Sequence, residues 1–267
     1  MELQAETMAT LTIIGVISGI AGGMLGIGGS AVMIPALTMV LGPNQHLYQA
    51  AAMIMNFFVA VPAVYQHSKA GAVDRKAVRR FIPIAAVAVI IGVGLSECSL
   101  FAGDREVYLR AAFGLFLAWI SLQELIRAMR RATRNPQNLG RNDSAIAPAV
   151  HPDMTWRLAA IVAAPCGLIA GLLGVGGGLI AVPLQQRFLH IPIRNAIANS
   201  CAMIVATSLV GALAKNYAFI TQHAGSMDSL VMASVLVPTA ALGSMVGARL
   251  THVLPVRFVK IAFFLLL

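Results

Sequence analysis

No aspartate, glutamate, lysine or arginine occurs between residues 7 and 68, and further charge-free runs cover 81–96, 158–186, 195–214 and 229–248. A helix that crosses the hydrocarbon core of a bilayer needs about 20 consecutive apolar residues. Only 11% of the 267 residues are charged and 58% are hydrophobic, whereas a soluble domain carries about 25% charge. The chain therefore reads as an all-α polytopic membrane protein. A β-barrel would instead need alternating segments of about 10 residues, a pattern the sequence lacks.

The formal net charge is +9, but the basic residues sit in short patches between apolar runs, as cytoplasmic loops do, which argues against nucleic acid as a partner. The N-terminus, Met1-Glu-Leu-Gln-Ala-Glu6, lacks the basic stretch and small-residue cleavage site of a signal peptide, so the first apolar segment is expected to be retained. Cys98, Cys166 and Cys201 offer neither a disulfide framework nor metal-ligand spacing and read as small buried hydrophobes. No cofactor or metal is implied.

Two segments of the chain are near copies. Gly19, Gly23, Leu25, Gly26, Gly28, Gly29 and Pro35 recur, 148 residues later, as Gly167, Gly171, Leu173, Gly174, Gly176, Gly177 and Pro183. Gly71-Ala-Val-Asp74 likewise resembles Gly225-Ser-Met-Asp228, each preceding an apolar run with a proline (Pro83, Pro238) and a glycine (Gly92, Gly247). The polar, proline-containing stretch 128–154 separates the copies and reads as a flexible linker. The expected organisation is a first membrane repeat over 1–127, a cytoplasmic linker over 128–154 and a second repeat over 155–267. The apolar run after Lys260 is shorter than its counterpart at 107–123, so the last helix is expected to be incomplete.

Charge sets the orientation. If 8–41 and 158–189 each enter and leave the membrane on one side, the lysines and arginines divide 16 to 3 between the two faces, against 12 to 7 for simple spans. Cytoplasmic loops concentrate these residues, so the re-entrant arrangement is preferred. Each half then holds a hairpin of two half-helices and three crossings. That odd number inverts the second repeat relative to the first. The N-terminus is expected outside and the linker inside.

The Gly-x-Gly-Gly cores are poor helix, at about 1 kcal/mol per glycine relative to alanine. In lipid, broken backbone is tolerated only inside protein or along a wet cavity. Consecutive N–H groups of glycine turns, backed by a helix N-terminus, favour anions. The expected anion site is Gly26, Gly28, Gly29 and Ser30 facing Gly174, Gly176, Gly177 and Gly178. Asn56, Asn199 and Ser200, polar residues within apolar runs, are further candidate ligands, with Thr207 and Ser208 nearby. An interhelical hydrogen bond is the structural alternative for each. The spaced glycines Gly15, Gly19, Gly23, Gly243 and Gly247 read as helix-packing positions. Lys215, Arg187 and Arg194 at run ends are expected to reach for the interface. His46, His67, His190, His223 and His252 read as loop or interface residues, and Glu97 and Glu124 as minor candidates for a coupling proton.

The paired Gly-x-x-Gly-x-Gly-Gly segments, the Gly-x-hydrophobic-Asp elements at 71–74 and 225–228, and Gly243-x-x-x-Gly247-Ala-Arg-Leu250 resemble the sulfite exporter TauE/SafE family of membrane transporters. The resemblance covers nearly the whole chain. It implies secondary transport of small sulfur-containing anions such as sulfite or sulfonates, usually outward across a bacterial inner membrane. In the second half Ala198-Asn199-Ser200 keeps the hydroxyl-bearing element common in that family, whereas the first half has Ala52-Met53-Ile54. An anion channel on the same broken-helix scaffold is the alternative. The apolar runs offer no nucleophile and base pair for an enzyme. The partners expected are a small anion and the lipid bilayer, with a homodimer and the coupling ion left open.

Overall fold

A computed structural model describes residues 5–98, 101, 105–132, 154–222 and 227–254. The N-terminal four residues, most of the linker, His223 and the run after Lys260 lie outside the described residues. Those described form helices and no strand: α1 (Ala5–Leu25), α2 (Ser30–Leu41), α3 (Gln45–Lys69), α4 (Arg75–Ser96), α5 (Glu106–Ala132), α6 (Trp156–Leu173), α7 (Gly178–Phe188), α8 (Ile193–Gln222) and α9 (Asp228–Val253). Among the described residues α1, α3, α4, α6, α8 and α9 are long and apolar enough to cross a membrane. Large apolar side chains such as Ile13, Val87, Ile90, Leu213 and Leu242 remain exposed on them. Bare apolar surface of that extent belongs in lipid.

Local chemistry fixes the helix ends. Asn44 accepts a hydrogen bond from Leu47 N at the start of α3, and Asp74 accepts from Lys76 N and Ala77 N at the start of α4. Thr155 does the same for α6 through Leu158 N. These side chains satisfy N–H groups that the first turn leaves unpaired. The conformation of Gly71, φ +69°, completes the turn between α3 and α4. Six of the helices contain an internal proline, at positions 35, 62, 83, 165, 183 and 238.

The hairpins differ from the expected pair of half-helices. α1 has 21 residues and α6 has 18, against 12 for α2 and 11 for α7. At 1.5 Å per residue the longer limb of the first hairpin measures about 31 Å, a full bilayer core, and the shorter about 18 Å. Each glycine break therefore joins a membrane-length limb to a shorter returning one.

The two halves interlock by exchange. α1 of the first half lies along α9 of the second, α6 of the second lies along α4 of the first, and α3 crosses α8 between them. Glycines carry the close approaches, and they do so in register. Gly19 lies against the Ala240 backbone and Gly167 against Ala85. Gly23 meets Ser244 and Gly171 meets Val89, while Gly247 meets Ile20 and Gly92 meets Leu168. Every pair maps onto its counterpart when 148 is added in α1 or 155 in α4. A methyl group at any of these glycines would enter the neighbouring backbone.

Directions follow from the same contacts. Residue numbers rise together along α1 and α9, and along α4 and α6. Ser244 Oγ donates to Val59 O and His252 meets His67, so α3 also runs with α9. α8 runs against α3, with Gly211 beside Met53 and Asn216 Nδ2 donating to Ala50 O. At one end of the bundle Asn195 Nδ2 donates to Ala72 O, Arg80 to Met154 O and Arg194 to Leu254 O. The segments around 70–80, 154–157, 187–195 and 249–254 thus gather there. The other end holds His46, Glu97, Phe101, Glu106 and Lys215.

Candidate functional site

Each break is shaped by left-handed glycines. Gly26 and Gly28 have φ of +65° and +77°, Gly174, Gly176 and Gly177 +75°, +70° and +79°. Side chains with a Cβ are strained there. The neighbours obey the internal symmetry: Gly26 abuts Ile197 and Gly174 abuts Gln49; Gly28 abuts Asn56 and Gly176 abuts Ile204; Gly29 abuts Ser18 O and Gly177 abuts Cys166 O. The two breaks also touch each other. A Cβ on Gly28 would stand 3.2 Å from Val175 O, and Gly178 lies against Gly26 O and Ile27 Cα. Of the residues expected to face each other, Gly26 and Gly28 of the first break lie beside Gly178 and Val175 of the second.

Asn56 joins the breaks. Its Oδ1 accepts from Ser30 N at 3.2 Å, and its Nδ2 donates to Ser30 Oγ at 3.0 Å and to Gly174 O at 3.4 Å. Its counterpart is Ile204, so the symmetry of the backbone is broken by one amide. No side chain caps the N-terminus of α7 at Gly177. The first N–H groups of α2 and α7 carry the positive end of the helix dipole into the region between the breaks.

Hydroxyls from α8 complete the surroundings. Ser200 Oγ donates to Gly26 O at 2.6 Å and Thr207 Oγ1 to Gly176 O at 3.0 Å. Ser208 is fully buried and its Oγ has no partner among the described residues. The space where a Gly176 Cβ would stand lies 3.2 Å from Asn56 Nδ2, 3.3 Å from Ile204 Cγ2 and 3.5 Å from Ser208 Oγ. The Ser208 hydroxyl thus flanks bare backbone in a buried setting, beside an amide that already donates to Ser30 Oγ and Gly174 O. Gln49 and Ser18, buried beside the breaks with Gln49 Oε1 and Ser18 Oγ unpartnered, escaped the sequence reading. Their signal was available, since both are polar residues within the charge-free run 7–68.

Asn199 is placed elsewhere. Its Oδ1 accepts from Asp74 N at 2.8 Å and its Nδ2 donates to Gln185 Oε1 at 3.2 Å, which ties the turn before α4 to α7. A cavity of about 340 Å³ also lies away from the breaks, between α5, α6 and α7, with Trp119, Ile169, Pro183 and Arg187 in its wall.

Lys215 does not reach for the interface. It is 1% exposed, and its Nζ lies 2.5 Å from Glu97 Oε1 and donates to Ser96 Oγ at 2.7 Å. α8 continues seven residues past it to Gln222, so a position that looks like a span end in the sequence is interior. His46 Nε2 lies 3.1 Å from Phe101 O, and its Nδ1 lies 3.4 Å from Lys215 Nζ and 3.5 Å from Glu97 Oε1. Burial works against the Glu97 charge, but the His46 ring and the Lys215 ammonium outweigh it and hold the carboxyl at about 2. His67, expected in a loop or at the interface, is fully buried in α3 against His252. Cys166 and Cys201 are buried and unpaired, and Cys98 is half-buried.

With this geometry described, the comparisons with known proteins bear on it directly. The model of the family described as sulfite exporter TauE/SafE matches residues 11–267. The chain is 29% identical to the probable membrane transporter protein MamO of Magnetospirillum gryphiswaldense over 91% of its own length and 41% of that protein's. It therefore spans about two-fifths of the length of the MamO proteins it matches. It is 26% identical to the probable membrane transporter protein YunE of Bacillus subtilis over 91% of this chain and 88% of that one. A probable membrane transporter protein of Haemophilus influenzae is 25% identical over 96% and 93% of the two chains. No solved structure matches. With six membrane-length apolar helices and a family match over nearly its full length, the chain is a multi-pass membrane protein and belongs to the sulfite exporter TauE/SafE family.

Proposed function

We propose that the protein is a secondary transporter that carries a small sulfur-containing oxyanion, such as sulfite or a short sulfonate, outward across a bacterial inner membrane. The anion is held where the glycine breaks meet. The observation that carries this reading is the meeting of the two glycine breaks, where bare backbone at Gly176 lies beside the buried Ser208 hydroxyl, which has no partner among the described residues. Glycine allows an oxyanion to approach N–H groups closely, and the start of α7 adds a favourable dipole. The family name supplies the sulfur chemistry, and the relatives' names supply transport.

Opposed helix directions in the two halves support inverted membrane repeats, and the gathering of the basic segments at one end supports a cytoplasmic position for that end. The breaks press against each other through Gly28 with Val175 and Gly178 with Gly26. That contact favours a carrier whose halves part and re-form over an open channel. Sulfite flux into and out of proteoliposomes tests the reading, with Ser208→Ala and Gly176→Ala beside the unmodified chain. Both variants are expected to lose flux several-fold, Ser208→Ala without loss of thermal stability. Undiminished flux in both variants would remove the site from the breaks.

A further inference from the structure

The internal symmetry links two buried polar pairs at opposite ends of the molecule. Adding 148 to His67 gives Lys215, and subtracting 155 from His252 gives Glu97. His67 Nδ1 lies 2.8 Å from His252 Nε2, as Lys215 Nζ lies 2.5 Å from Glu97 Oε1. The third members also correspond: His46, beside Lys215 and Glu97, maps onto Arg194, whose charge acts on His252. One latch is thus built from a cation and a carboxylate and the other from two imidazoles.

The imidazole latch has a defined hydrogen-bond direction. His67 Nε2 lies 3.3 Å from Gly23 O, and a carbonyl only accepts, so Nε2 carries the proton. Neutral His67 then accepts at Nδ1 from His252 Nε2–H. What is left is His252 Nδ1, a basic lone pair that is buried and without a partner among the described residues. The row of bonds runs from that lone pair through both rings to the last turn of α1, three residues before the break at Gly26.

We propose that the His67–His252 pair is a proton-binding site, and that loading it releases α3 and α1 from α9 at that end while Lys215–Glu97 holds the other end closed. A proton from water adds to His252 Nδ1, no bond to carbon changes, and the pair goes from neutral to a single positive charge. Arg194 faces that charge from α8 and opposes it. Lys69 on α3 and Arg249 on α9 are exposed. Asp74, a carboxylate described at the same end, is committed to Lys76 N and Ala77 N. A buried cation without a carboxylate draws water, and water parts the helices. The opposite latch needs no such response, since Glu97 balances Lys215. The proposal rests on the reading of the two halves as moving repeats and makes the proton the coupling ion.

Distances between nitroxides at Ser68→Cys and Val253→Cys, both exposed, test it in liposomes on a Cys98→Ser background. Lowering the pH from 8 to 5.5 is expected to add a component several ångströms longer. A second label pair at Leu95→Cys and Leu213→Cys, across the other latch, is expected to stay unchanged. His67→Gln and, independently, His252→Gln are expected to abolish the response at the first pair. A distribution that ignores pH in the unmodified chain, or that still shifts in both glutamine variants, overturns the proton site. Sulfite flux in the same liposomes separates the two claims. A pH-driven shift without flux removes the transport reading and leaves the proton site; flux with pH-blind distances does the reverse.

Discussion

Asn56 and Gly174, on different halves of the chain, are joined by a hydrogen bond from the amide Nδ2 to the backbone carbonyl, while the same amide's Oδ1 accepts from Ser30 N. One side chain therefore holds the geometry of both glycine breaks. Replacing Asn56 by leucine leaves Ser30 N and Gly174 O buried without partners, at a cost of about 1–3 kcal/mol each. A lowered melting temperature in detergent, together with loss of sulfite flux, is the expected result. Asn56→Asp keeps the acceptor for Ser30 N but adds a negative charge beside the proposed anion position. Its flux is expected to fall at least as far as that of the leucine variant.

The glycine contacts predict a pattern that packing alone would set. Gly92→Val and Gly247→Val each drive a side chain into the neighbouring helix backbone, at Leu168 and Ile20. Both are expected to prevent a monodisperse fold on size-exclusion chromatography. A methyl group at Gly94 or Gly114 would meet nothing within 4 Å. Alanine there is expected to hold or raise the melting temperature, because helical alanine is favoured by about 1 kcal/mol over glycine.

How much of this the sequence disclosed depends on range. The helical membrane class and the two breaks rest on local patterns: charge-free runs and glycine clusters. The exchange of α1 and α6 between halves does not, because it depends on which surfaces meet. Two register offsets, 148 and 155, hide the correspondence of His67–His252 with Lys215–Glu97 from a single alignment shift. Lys215 looked interfacial because it ends an uncharged run, while its partner Glu97 belongs to the other half. Asn199 looked like a ligand because it is polar within an apolar run; its partners, Asp74 N and Gln185, are set by tertiary packing.

The Lys215–Glu97 pair should behave as a buried ion pair. Glu97→Gln leaves the ammonium without its countercharge and is expected to cost about 3–5 kcal/mol, most of it recovered in the Glu97→Gln, Lys215→Met double variant. Thermal denaturation of the three proteins measures this. A single variant as stable as the parent would contradict the pairing.

The same pair sets a pH dependence. The Glu97 carboxyl titrates at about 2 in the folded chain, below the value of about 4.3 for a free glutamate. Its contribution is therefore complete above that free value and is lost as the pH falls through 2. The stability difference between the parent and Glu97→Gln is expected to be constant from pH 8 to 5 and to shrink below pH 4. A difference that already fades between pH 8 and 6 would contradict the assignment.

The central claim, an oxyanion held between the two glycine breaks, is tested most directly by locating the anion. Selenite, the heavier analogue of sulfite, gives an anomalous signal in crystals of the protein. The expected peak lies within hydrogen-bond distance of Ser208 Oγ or Asn56 Nδ2, beside Gly176. A peak confined to the cavity near Arg187, between α5, α6 and α7, with none at the breaks, would contradict it.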